Sequence, residues 1–181
     1  MVELIHSTRK EQEKIKPEIK DIITGYLDGD MRKEALDFIS FMEANGASFS
    51  WSALNTWEAR RNKVCICRIN LHTDSKKTRK PTDHPNWVVR LPLREGHKDR
   101  IMQVGLQHII WSGADFCVHK DYDGKSSVGC QTTKACSGGK SINLFGKEFT
   151  GMCIHFSPRF SNPDKATING IKRIVTLAIE S

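Results

Sequence analysis

Four of the six cysteines in this chain, Cys117, Cys130, Cys136 and Cys153, fall within 37 residues and are spaced C-x12-C-x5-C-x16-C. Four converging thiolates make a tetrahedral zinc site. The same thiols scattered through a core act as small hydrophobes. The close C-x2-C knuckle typical of zinc sites is missing, so spacing leaves both readings open. Residues 121–141, between the outer cysteines, are rich in Gly, Ser, Thr and Lys. Such a segment buries little to offset its ordering entropy, and a metal would tie it down. His119 and His155 each lie two residues from a cysteine and can replace one thiolate from the same strand face. Cys65 and Cys67 share a strand face with Ile69 and Leu71, which favours packing.

A catalytic cysteine needs a depressed pKa and a base beside it. His108, His119 and His155 are the candidate bases. No G-x-S-x-G, H-E-x-x-H, P-loop or G-x-G-x-x-G occurs. The balance therefore falls on a non-enzymatic protein, with a cysteine-dependent enzyme as an alternative.

Two further groups have the chemistry to bind. Trp57 and Trp87 lie on expected strands, with Phe49 and Trp51 leading into them. They can line an apolar ligand pocket with Arg68 and Arg90 at its edge, or belong to the ordinary core. Lys76, Lys77, Arg79 and Lys80 form a basic cluster in a loop that also holds Pro81 and Pro85. With a net charge of +7, this loop can neutralise phosphates and makes nucleic acid the rival partner. A solvated charged loop is the simpler explanation, since charge alone speaks to solubility and nonspecific attraction.

These residues need elements to position them. Residues 1–14 read as a polar N-terminal tail and 15–181 as one domain, with a Gly/Ser-rich, cysteine-bearing insertion at 121–141. Pro17 suits the first position of a helix whose apolar residues run from Ile15 to Leu27. Asp30 is placed to cap a second helix over Met31–Met42, closed by Asn45-Gly46. Asn55–Arg60 and Val64–Leu71 read as strands about a turn at Arg61-Asn62-Lys63. Trp87–Leu93 reads as a third strand, with Val88 and Arg90 turned away from its apolar face. A single helix capped by Asp99 is expected to carry Met102, Leu106, Ile109 and Ile110 to Gly113. Phe116–His119 reads as extended. A hairpin over Ile142–Phe156 and a last helix starting at Asn162-Pro163 follow. The order predicts an α+β fold: a mostly antiparallel sheet with helices packed on one side.

Hydrophobic residues make up 38% and charged residues 27% of the chain, enough apolar material for a packed core. No apolar run approaches the ~20 residues of a membrane span, and Met1–Lys20 carries no secretory h-region. A cytoplasmic location is expected, where reduced thiols pack or bind metal rather than form disulfides.

The run Trp57-Glu58-Ala59-Arg60-Arg61-Asn62-Lys63-Val64-Cys65-Ile66-Cys67-Arg68-Ile69, with Ile171-Lys172-Arg173-Ile174-Val175 near the end, resembles the hairpin and last helix of small bacterial proteins of the YdhG-like, frataxin-like group. That resemblance implies a helix–sheet–helix sandwich. Members of the group have a proposed iron-chaperone role that uses acidic surfaces. This chain is basic, so only the fold carries over. Together these readings predict a non-enzymatic, cytoplasmic small-ligand-binding domain, with zinc on Cys117, Cys130, Cys136 and Cys153 as its candidate cofactor.

Overall fold

The computed structural model describes residues 7–71, 87–114, 140–152 and 157–180. The first helix, α1 (Arg9–Ile15), lies where a polar tail was expected. A reciprocal capping box explains it: the Thr8 side chain accepts from the Glu11 backbone N–H, and the Glu11 carboxylate accepts from the Thr8 N–H. Its inner face buries one side chain, Gln12, which is 0% exposed. Gln12 Oε1 accepts from the Asn55 N–H at 2.8 Å and from Trp51 Nε1 at 3.1 Å. A single buried amide thus docks α1 on the sheet.

The next helix, α2 (Ile19–Tyr26), starts after Pro17 rather than at it. The Pro17 carbonyl is used elsewhere, accepting from Trp57 Nε1 at 2.8 Å. Helix α3 (Gly29–Ala44) is preceded by Asp28, not capped by Asp30, and buries Ala35, Phe38, Ile39 and Met42. The segment after Gly46 holds a strand that was not expected, β1 (Ser48–Ala53), with strict exposed/half-buried alternation. The paired strands β2 (Thr56–Arg61) and β3 (Val64–Leu71) follow. Asn62 and Lys63, both with positive φ, make the two-residue turn between them.

Strand β4 is short (Trp87–Arg90). The expected single helix beyond it is two: α4 (Glu95–Gln103) and α5 (Gln107–Ser112). They break at Val104-Gly105, where Gly105 has φ of 71°. The break buries Ile101 and leaves Met102 exposed, the reverse of the single-helix reading. A separate hairpin, β5 (Lys140–Leu144) and β6 (Lys147–Met152), follows. It is anchored where Trp111 Nε1 donates to the Leu144 carbonyl at 2.8 Å. The chain ends with β7 (Arg159–Ser161) and α6 (Lys165–Ile179). The cap of α6 is Asp164, two residues beyond the expected Asn162, and it accepts from the Thr167 N–H at 2.8 Å. Asn162 instead clips β4, its side chain accepting from the Trp87 N–H and its own N–H donating to the Trp87 carbonyl.

The fold is α+β. Its main sheet has five strands in the order β1-β2-β3-β4-β7, every adjacent pair antiparallel. Trp57, Ala59, Cys67, Ile69, Trp87, Val89 and Phe160 line one face and join the buried residues of α2, α3, α4, α5 and α6 in one core. Burial of such side chains stabilises the domain by roughly 1.5–3 kcal/mol each. The β2–β3 ladder shifts register between Ala59 and Arg60, so that Ile66 is the extra residue on β3. This bulge turns both Ile66 and Cys67 inward. It corrects the expectation that Cys65 and Cys67 share a face: Cys67 is core, and Cys65 lies on the opposite side beside Glu58 and Arg68.

Candidate functional site: an arginine row across the sheet

Strand alternation turns Glu58, Arg68, Arg90 and Arg159 away from the helices. The register then sets them in line. Ser50 is opposite Glu58, Glu58 opposite Arg68, Arg68 opposite Arg90, and Arg90 opposite Arg159. Three arginines on three neighbouring strands are therefore direct cross-strand partners. A second row runs beside them through Thr56, Asn70, Val88 and Ser161. Within it, Asn70 Nδ2 donates to Thr56 Oγ1 at 2.7 Å.

Glu58 closes one end of the row and is only 8% exposed. It pairs with Arg60 and accepts from Arg68 Nε at 2.8 Å. Burial alone pushes its carboxyl up, but the hydrogen bond from Arg60 and the charge of Arg68 outweigh that and leave its pKa lowered. Glu58 is thus a carboxylate between two guanidiniums. Arg68 still exposes 57% of its side chain. Arg90 and Arg159 are half-buried, and each is engaged in further interactions.

The thiols on this sheet are poor nucleophiles. Burial, and then the Glu58 carboxylate, raise the Cys65 thiol, and burial raises Cys67 further. Cys65 Sγ donates to the Cys67 carbonyl at 3.5 Å. His108, one of the three candidate bases, is exposed, and its Nδ1 lies 3.0 Å from the Gly105 carbonyl.

Arg68 and Arg90 are brought together as neighbours, but not with the tryptophans. Trp57 is 1% and Trp87 0% exposed. Both belong to the core on the other face, which corrects their assignment to a ligand pocket. The physical reason is strand period: residues 57 and 87 are odd-numbered positions on the apolar side, and Arg68 and Arg90 are on the other. Phe49 and Trp51 also pack against the core. Lys76, Lys77, Arg79 and Lys80 lie outside the described residues, as do Cys117, Cys130, Cys136, Cys153, His119 and His155. Among the described residues, no three His, Cys, Asp or Glu side chains come together to hold a metal.

Sequence reasoning missed Glu58, Arg159 and Gln12. Glu58 and Arg60 carry a signal, since charged residues alternate with Trp57 and Ala59. Arg159 carries little, because β7 is only three residues long. Gln12 carries none, for its burial depends on contacts more than 35 positions away.

These features define an α+β domain with one apolar sheet face under helices and one polar, arginine-bearing face. In comparisons with family models, curated proteins and solved structures, nothing matches this chain. No described helix is long and apolar enough to cross a membrane.

Proposed function

We propose that this chain is a non-enzymatic, cytoplasmic binding domain for a small oligoanion, one carrying a diphosphate or several carboxylates. The observation that carries this reading is the uninterrupted cross-strand row Arg68, Arg90 and Arg159. Like charges directly opposite one another destabilise a sheet. Neighbouring strands are about 4.8 Å apart, so the row extends over roughly 10 Å. A ligand with two or more anionic groups matches that length. The planar guanidinium fork favours phosphate and carboxylate, which it binds bidentately. Glu58 is the internal counter-ion that holds Arg60 and Arg68 in place before the ligand arrives.

Calorimetric titration with pyrophosphate at low salt tests this. Arg68→Gln should weaken binding about tenfold or more, since a hydrogen bond to a charged group contributes roughly 1.5–3 kcal/mol. The melting temperature should fall only modestly, because Arg60 still pairs with the buried Glu58 carboxylate and one lost hydrogen bond costs about 0.5–1.5 kcal/mol. No binding by the unaltered protein would mean that the protein's own carboxylates already satisfy the row. Tighter binding of an oligonucleotide, lost on replacing Lys76, Lys77, Arg79 and Lys80, would favour the nucleic-acid reading instead.

A structural zinc ion on Cys117, Cys130, Cys136 and Cys153 belongs to the same proposal and rests on the sequence alone. Protein purified reduced and without chelator should carry about one zinc per chain, bound by a single four-thiolate site. A metal-free preparation would remove this part of the reading.

A further inference from the structure

A groove of about 400 Å³ lies between the β2–β3 turn, the start of α4 and the end of α6. Its volume is within the ~300–1,000 Å³ range of small-ligand sites. Four of its lining residues are apolar: Val64, Ile66, Ala178 and Ile179. Val64 is 38% exposed, so this apolar wall is open to a ligand. The remaining wall is basic or polar, formed by Arg61, Asn62, Arg94 and His97.

The charges around the groove are unevenly used. Arg100, next to it, is occupied: its Nη1 donates to the Leu177 carbonyl at 2.6 Å and its Nη2 pairs with Glu180 at 3.2 Å. Arg61 gives one N–H to the Ile179 carbonyl at 3.2 Å, which leaves other donors of its fork for a second partner. Arg94 is exposed at the rim. Partial burial, then the charges of Arg94 and Arg100, lower the pKa of His97. The two guanidiniums add positive charge beside the groove.

We infer that this groove binds an amphipathic monocarboxylate, with its alkyl chain along Val64, Ile66 and Ile179 and its carboxylate at Arg94 and Arg61. The occupant follows from charge complementarity. An apolar wall alone accepts any hydrophobic ligand, whereas a cationic rim selects an anionic head, and one nearby acid, Glu180, is already paired to Arg100. This site shares no residue with the arginine row.

Amide and imidazole chemical shifts of the full chain, recorded during titration with octanoate, test the inference. Octylamine serves as the cationic control and acetate as the control without a chain. Octanoate should give saturable shifts at Asn62, Val64, His97 and Ile179. Acetate and octylamine should give far weaker ones at equal concentration. Arg94→Gln, an exposed position, should weaken octanoate binding about tenfold. Val64→Asp should do the same by placing a charge on the apolar wall. Arg68→Gln should leave octanoate binding unchanged, which separates this site from the arginine row. Equal shifts with octylamine, shifts confined to the arginine row, or full affinity in Arg94→Gln would overturn the inference.

Discussion

Trp57 and Trp87 have the same residue type and the same near-complete burial, yet their indole N–H groups differ. Trp57 Nε1 donates to the Pro17 carbonyl at 2.8 Å and so ties β2 to the start of α2. Trp87 Nε1 is buried and finds no acceptor among the described residues. Replacement by Phe removes similar volume from each site, but only at Trp57 does it leave an accepting carbonyl without its donor. Trp57→Phe should therefore cost about 1–3 kcal/mol more than Trp87→Phe. Urea denaturation of the two variants measures the difference, and equal midpoints would contradict it. The same scale shows what a sequence can and cannot disclose. The types of Trp57, Trp87, Arg68 and Arg90 mark them as residues of interest. Whether ring and guanidinium meet depends on the face each occupies, and the odd and even strand positions put them on opposite sides. Gln12 is the converse case: its type suggests a surface amide, and only Asn55 and Trp51 make it a buried anchor.

At the scale of elements, close approach explains one glycine. A Cβ on Gly113 would sit 2.7 Å from Phe160 Cζ and 3.2 Å from the Arg159 backbone nitrogen. The Gly113 carbonyl itself accepts from the Arg159 N–H at 2.7 Å, which joins the end of α5 to β7. Gly113→Ala should destabilise by about 1–3 kcal/mol through overpacking against a ring and backbone that have little room to shift. Gly96→Ala is the control: nothing lies within 4 Å of a Cβ there, and helix propensity should return up to about 1 kcal/mol. Thermal melts that rank the two variants the other way would contradict this packing. Elements with long apolar periodicity were legible in the sequence. Val64–Leu71 emerges with the expected bounds, and Ile168, Ile171, Ile174 and Val175 form the buried face of α6. Legibility failed where local chemistry was subtle. The capping box of α1 lies in a polar stretch, β1 alternates serine with half-buried residues, and Gly105 splits one apolar period into two helices. The bulge at Ile66 was invisible because an extra strand residue is defined only by its partner.

For the whole molecule, charge and topology act together. A net charge of +7 attracts anions without choosing among them. The sheet order brings Arg68, Arg90 and Arg159 from β3, β4 and β7 into one line, the feature on which the proposed oligoanion site rests. No pair of them is adjacent in sequence, which is why the site could not be read before the strand order. The most direct measurement of the central claim is a chemical-shift map of the uniformly labelled chain on addition of pyrophosphate. The account predicts saturable shifts centred on residues 58–60, 68–70, 88–90 and 159–161, with Arg68→Gln moving their saturation to about tenfold or more higher pyrophosphate. Shifts spread evenly over the surface lysines, or unchanged saturation in Arg68→Gln, would contradict an arginine-row site.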